Sequence, residues 1–74
     1  MKKQSVTITT EYIKLQDLLK FASLVGTGGE AKVLIQEGAA SVNGEVCTQR
    51  GKKIRPGDEV SIADMLLTVR YADQ

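Results

Sequence analysis

Histidine and tryptophan are absent from this chain, and cysteine and proline occur once each. The lone cysteine, Cys47, excludes an internal disulfide framework and a zinc site made of several cysteines. Because no histidine is available to activate its thiol, we expect Cys47 to be a small apolar residue in a strand and not a nucleophile. Metal ligation would have to rely on carboxylates alone. The composition therefore predicts neither a metal nor a cofactor.

Long apolar runs are also missing. No segment approaches the roughly 20 apolar residues that span a bilayer. Met1-Lys2-Lys3 has the charge that opens a signal peptide, but polar and charged residues interrupt the stretch from Gln4 to Leu19. We therefore expect a cytoplasmic protein that has no membrane contact.

The length of the chain limits the size of its core. With 74 residues, the chain predicts one domain over residues 1–74. A domain of this size buries only about 60% of the surface that its unfolded chain exposes. We therefore expect a monomer whose binding site is a surface patch and not a deep internal cavity.

Neither sign of charge dominates the chain, which has ten Lys and Arg against nine Asp and Glu and a net charge of +1. The distribution is uneven, because every charged residue between Thr48 and Gly57 is a cation. We refer to residues 48–57 as the basic segment. Such a cluster is either a solvated loop or a surface for an anionic partner.

The hydrophobic pattern of the first half predicts a strand and two helices. Alternation predicts a short strand over residues 5–9, and apolar residues at i, i+3, i+4 and i+7 predict a first helix over about residues 13–24. Gly26 is expected to take the left-handed conformation after this helix. Thr27 is then expected to cap a second helix, with Glu30 completing a capping box.

The second helix is predicted to run to about Glu37 and to end at Gly38, after which the period returns to two. Asn43-Gly44 predicts a hairpin with a type I′ turn, and residues 55–58 fit a type II turn. Ile54 is expected to anchor the basic segment in the core. Further strands are predicted over residues 60–62 and 66–71, which makes the protein an α+β fold of two short helices packed on a small, mostly antiparallel sheet.

Aromatic residues are few: one phenylalanine and two tyrosines. Phe21 neighbours the apolar stripe of the first helix and is expected in the core, and Tyr71 is expected to close the sheet. Tyr12 is then the best candidate to stack on a nucleic-acid base.

The order of these features resembles that of the S4 RNA-binding domain. The resemblance covers about residues 13–62. It rests on the succession of two helices, a glycine, Val-Asn-Gly-Glu-Val at 42–46 and Pro-Gly-Asp-Glu-Val at 56–60. The motifs at 27–32 and 50–53 narrow it to small bacterial proteins that consist of little more than an S4 domain, the YaaA/YbcJ type. The resemblance implies the αL motif and non-enzymatic binding of structured RNA, ribosomal or transfer RNA, with a link to ribosome assembly or translation.

The resemblance places RNA contacts on the face of the two helices and the neighbouring loops, including basic positions at Lys14, Lys32 and the basic segment. The residues at the start of the second helix add a hydroxyl and backbone amides that suit a phosphate. The predicted RNA-binding residues are Lys14, Thr27, Gly28, Gly29, Lys32, Arg50, Lys52, Lys53 and Arg55.

The chain departs from the family pattern at the start of the second helix. Many S4 domains have paired arginines where this chain has Gly28 and Gly29, so we expect weaker or more selective binding. The two glycines either contact a phosphate or only form a tight turn between helices, and both readings remain open.

Two other functions are alternatives to RNA binding. A protein-interaction adaptor with an S4-like fold fits the near-neutral charge, and its partner would be a ribosomal or other protein. A nucleotide-dependent enzyme fits poorly, because Glu30-Ala31 stands where a P-loop needs lysine followed by serine or threonine. A helix and not a strand precedes the glycines, which also argues against a dinucleotide fingerprint. We therefore predict that the protein is not an enzyme.

Overall fold

The computed structural model describes residues 2–72 of the chain. Seven strands and two helices lie within these residues. In chain order they are β1 (Lys2–Ile8), β2 (Ile13–Lys14), α1 (Leu15–Phe21), α2 (Gly28–Gln36), β3 (Ala40–Val42), β4 (Glu45–Val46), β5 (Lys53–Ile54), β6 (Glu59–Ile62) and β7 (Met65–Tyr71). Neither helix in this range is both long enough and apolar enough to cross a membrane.

The main sheet has five strands in the order β1-β7-β6-β3-β4. β1 and β7 pair in parallel, with Val6 opposite Val69, whereas the other neighbours in this sheet are antiparallel. β2 and β5 form a separate antiparallel pair. The prediction of an α+β fold with a mostly antiparallel sheet is confirmed.

The core lies between one face of this sheet and the two helices. Alternate strand residues are buried, as the period of two requires, and both helices bury their apolar stripes against them. The buried set is Val6, Ile8, Leu15, Leu18, Leu19, Ala22, Val25, Ala31, Ile35, Ala40, Val42, Ile54, Val60, Ile62, Leu67 and Val69.

The turn predictions are confirmed. Asn43 (φ 52°) and Gly44 (φ 89°) have the positive φ values of a type I′ turn. Gly57 has φ 97°, and the Asp58 amide donates to the Arg55 carbonyl at 2.9 Å, as in a type II turn. Gly38 ends α2 with φ 82°.

The first helix is shorter than predicted. The sequence pattern predicted residues 13–24, but α1 spans Leu15–Phe21, because Ile13 and Lys14 pair with β5 as a strand. Two-residue strands have no periodicity that a sequence pattern could detect. Ile54, the predicted anchor, is fully buried opposite Ile13.

The prediction for the end of α1 was also wrong. Ser23, with φ 61°, takes the left-handed position expected for Gly26. The Ser23 amide donates to the Lys20 carbonyl and the Leu24 amide to the Leu19 carbonyl, both at 3.0 Å. These bonds form a Schellman motif, which ends the helix at Phe21, three residues earlier than predicted.

Two aromatic predictions are corrected by the structure. Phe21 is 60% exposed and Tyr71 is 57% exposed. Phe21 is the last residue of α1, and the next residue, Ala22, is buried in its place. Tyr71 is the last residue of β7, where it follows the buried Val69 by two positions but lies beyond the core.

Candidate nucleic-acid interface

The basic segment is attached to the start of α1 by its backbone. The Leu15 amide donates to the Lys52 carbonyl at 2.9 Å, and the Gln16 amide donates to the Arg50 carbonyl at 3.1 Å. The first amides of a helix have no partner within it, so the basic segment caps α1. Its backbone is therefore held by hydrogen bonds, while the side chains of Arg50 and Lys52 remain exposed.

Lys14 and Lys53 lie directly opposite each other in the β2–β5 pair. Opposite residues of an antiparallel pair point to the same face, and neighbouring residues point to the other face. Since Ile54 is fully buried, the two lysines point outward, and both are exposed. Like charges in this position repel each other, so an anion placed between them would stabilise the pair.

Tyr12 lies next to this pair of lysines. The Nζ atom of Lys53 is 5.0 Å from the centre of the Tyr12 ring, a cation–π contact that restricts the ammonium group. Tyr12 is half-buried, and one face of its ring is covered by Lys53. A base that stacked on that face would have to displace the lysine.

The start of α2 has the predicted cap, with a different role for Glu30. Thr27 Oγ1 accepts a hydrogen bond from the Glu30 amide at 3.1 Å, which confirms Thr27 as the N-cap. A capping box would pair the Glu30 carboxylate with the Thr27 amide, but Glu30 Oε1 accepts from the Gly26 amide at 2.7 Å. The carboxylate therefore lies just before the helix and lowers the positive potential there.

The amides of Gly28 and Gly29 donate to no acceptor in residues 2–72. Added β-carbons at these positions would have no neighbour closer than 4.0 Å. Both amides are therefore available to an anion, although the Glu30 carboxylate is close by. The structure does not require glycine here for a close backbone approach.

Lys20 is a further candidate, which the sequence pattern did not indicate. Its Nζ atom lies 4.0 Å from the position that a β-carbon would occupy if Gly28 had a side chain. The ammonium group is therefore at the start of α2. It also lies 3.6 Å from Asp17 Oδ1, and each of the two side chains is 45% exposed. The i, i+3 spacing could have predicted the ion pair, but the approach to Gly28 depends on how the two helices pack.

The basic segment and the start of α2 lie near opposite ends of α1. The basic segment caps the first residue of this helix, and Lys20, in its last turn, reaches Gly28. With seven residues, α1 is about 10 Å long. Three charged residues lie between the two regions: Lys14, Asp17 and Lys20. The negative Asp17 carboxylate interrupts the positive charge of the two lysines.

The other two predicted cations are exposed and have no side-chain partner in the described part of the chain. Lys32 is exposed on the second turn of α2, and Arg55 is exposed in the type II turn before β6. Within residues 2–72, the side chain of neither residue makes a hydrogen bond or an ion pair. The Arg55 amide instead donates to Asp58 Oδ2 at 2.8 Å, which stabilises the turn.

Comparison with known proteins agrees with the resemblance seen in the sequence. The family model of the S4 domain matches residues 6–70. This match is wider than the predicted motif at 13–62, because it includes the last three residues of β1 and all but the last residue of β7.

Two bacterial proteins are similar over most of their length. The chain is 40% identical over 57 residues to the probable ribosome maturation protein RlbA of Bacillus subtilis (strain 168), a match that covers 77% of this chain and 80% of that protein. It is also 40% identical over 52 residues to the putative RNA-binding protein YbcJ of Escherichia coli (strain K12), covering 70% and 74%.

Among solved structures, a crystal structure of pseudouridylate synthase is similar, with a TM-score of 0.65 and 32% sequence identity. The match covers 76% of this chain but only 24% of the synthase chain. The chain thus corresponds to about a quarter of that protein.

Proposed function

The chain belongs to the S4 domain family, and on that premise we propose that it is a non-enzymatic protein that binds structured RNA. The names of its relatives support this proposal, since one is a putative RNA-binding protein and the other a probable ribosome maturation protein. We further propose that the RNA is of the ribosomal or transfer RNA class and that binding serves ribosome assembly or translation.

The main support from the geometry is the pair of lysines on β2 and β5. Lys14 and Lys53 are held opposite each other and point outward, beside the exposed Arg50 and Lys52. Folding brings these like charges together although they repel, so a partner with closely spaced negative charges would relieve the repulsion. The phosphates of an RNA backbone have this property.

Binding at this surface would read the shape of the RNA more than its sequence. Phosphate contacts position a protein without reading bases, and A-form helices hide their bases in a deep groove. Lys20, Thr27 and the free amides of Gly28 and Gly29 would extend the contact to the start of α2. Lys32 and Arg55 would add further exposed cations, with smaller effects.

The test replaces Arg50, Lys52 and Lys53 together with alanine. Affinity for a structured ribosomal RNA fragment should fall, and the slope of log K against log salt should flatten by roughly 0.7 to 0.9 for each lost phosphate contact. Fluorescence anisotropy over a range of salt concentrations measures both quantities.

A matched control replaces Lys2, Lys3 and Arg70, which also removes three cations but lies on β1 and β7. We expect the control to change affinity and slope much less, because it leaves the proposed surface intact. Equal losses in both variants would mean that net charge, and not this surface, governs binding. Unchanged binding in the first variant would remove the basic segment from the site.

A further inference from the structure

An open groove of about 480 Å³ lies between the β3–β4 hairpin and the basic segment. It forms because the chain leaves the sheet after β4, where the Cys47 amide still donates to the Ala40 carbonyl at 3.0 Å. The Cys47 thiol then lies 3.8 Å from the Gln49 carbonyl. The volume is within the range of about 300–1,000 Å³ that is typical of small-molecule sites.

One side of the groove is held rigid by a hydrogen-bond network. Asn43 Nδ2 donates to Asp58 Oδ1 at 3.1 Å, and Asn43 Oδ1 accepts from the Glu59 amide at 2.9 Å. The second oxygen of Asp58 accepts from the Arg55 amide. Asp58 therefore has a partner for each oxygen and serves to fix the hairpin tip against the type II turn.

Glu45 differs from Asp58, because its carboxylate makes no hydrogen bond or ion pair with any residue between 2 and 72. It lines the groove together with Val42, which lies directly opposite it in the β3–β4 pair. Two carboxylates in the wall disfavour a phosphate. An accepting carboxylate in an open groove suits a flat, neutral ring that carries N–H donors.

Lys52 connects this groove with the RNA surface, since it lines the groove and belongs to the basic segment. An RNA backbone on the basic segment would therefore pass the mouth of the groove. Sequence-specific RNA recognition mostly uses unpaired bases that are splayed out and bonded at their edges. Carboxylates accept from the exocyclic amino group of cytosine, which uracil lacks.

We propose that this groove binds one unpaired RNA base that carries an exocyclic amino group, with Glu45 as the acceptor of its N–H groups. The inference rests on the proposed RNA-binding function and adds a base preference to it. The groove accepts cytosine, adenine or guanine and discriminates against uracil.

The first experiment uses nucleosides, which have no phosphate and so do not depend on the basic surface. Cytidine added to isotope-labelled protein should shift the backbone amide signals of residues 45–49 in NMR spectra, and uridine should bind at least about tenfold more weakly. Glu45→Gln should remove this difference, whereas Glu11→Gln, the same change outside the groove, should keep it. Absent shifts, or equal shifts with uridine, would overturn the proposal.

The second experiment uses two hairpin RNAs that differ only in one bulged nucleotide, cytosine or uracil. The affinity for the cytosine RNA divided by that for the uracil RNA should fall in Glu45→Gln and stay unchanged in Glu11→Gln. The Glu11→Gln variant controls for the loss of one negative charge. If the unmodified protein binds both RNAs equally, the proposed base site is contradicted, while the proposed RNA-binding function is supported. If cytidine shifts residues 45–49 but neither RNA binds, the proposed function fails while the groove remains a base site.

Discussion

Ser23 occupies the left-handed conformation that ends α1, although Gly26 follows three positions later. A β-carbon in this region of φ and ψ costs roughly 1 kcal/mol relative to glycine. The helix ends here because Leu24, which follows directly, packs against the core. Packing of one apolar side chain thus decides the position of the turn against the local preference for glycine.

Ser23→Gly should therefore stabilise the protein, because it removes the strain of a β-carbon at positive φ. We expect the free energy of unfolding to rise by about 1 kcal/mol in urea titrations. Ser23→Ala is the control, since it removes the hydroxyl and keeps the β-carbon, and it should change stability little. A loss of stability in Ser23→Gly would show that backbone freedom in the unfolded chain outweighs the relief of strain.

At the scale of elements, the start of α2 combines features that favour and oppose anion binding. The amides of Gly28 and Gly29 are free and Lys20 is close, but the Glu30 carboxylate accepts from the Gly26 amide. A carboxylate at this end stabilises the helix and also repels a phosphate. The same residue therefore has opposite effects on stability and on the proposed binding.

Glu30→Gln separates these two effects. The free energy of unfolding should fall by about 0.3–1 kcal/mol, because an amide interacts more weakly with the helix dipole. RNA affinity at low salt should rise if the start of α2 contacts phosphate. Thermal unfolding and anisotropy measure the two quantities.

Glu37→Gln is the control for Glu30→Gln, since it removes the same charge at the other end of α2. A similar rise of RNA affinity in both variants would indicate a general effect of charge. An unchanged affinity in Glu30→Gln would favour the reading in which Gly28 and Gly29 only form a tight turn.

At the scale of the whole molecule, the parallel β1–β7 pair joins the first strand of the described chain to the last. Lys2 lies opposite Met65 and Ile8 opposite Tyr71, so all contacts of this pair are distant in sequence. β7 lies between β1 and β6. Alternate residues of β7 point to opposite faces of the sheet, and those on one face pack against the helices. The sheet therefore holds the core together, while the helices and the basic segment form the proposed RNA surface.

Adjacent leucines in β7 test this arrangement. Leu67 is fully buried and Leu66, which points to the other face, is only half-buried. Leu67→Ala should lower the free energy of unfolding by about 2–5 kcal/mol, because it leaves a cavity. Leu66→Ala should have a clearly smaller effect, of less than about 1 kcal/mol.

Urea titrations of both variants check this prediction. The free energy of unfolding of the whole domain is expected to be only about 4–11 kcal/mol. At the lower end of this range, the Leu67→Ala variant would be unfolded at room temperature. Leu67→Val then provides the milder comparison. Equal effects at positions 66 and 67 would contradict the assignment of faces in β7.

Local patterns in the sequence were sufficient for the presence of both helices, for the turns at Asn43-Gly44 and at residues 55–58, and for the class of the fold. Thr27, Gly38 and Asn43-Gly44 act through bonds and dihedral angles within a few residues, so their roles could be read directly. The same holds for alternate burial in β6 and β7. These features depend on near neighbours in the chain, which a sequence lists.

The missed features depend on contacts between distant residues. The β2–β5 pair, the β1–β7 pair and the approach of Lys20 to Gly28 each join segments that the sequence separates. For the candidate site, the sequence determined which cations are available and that most of them cluster in one segment. Only the tertiary structure decided that Lys14 stands opposite Lys53 and that Asp17 and Glu30 interrupt the surface, because packing of the core sets the distances between charges on different elements.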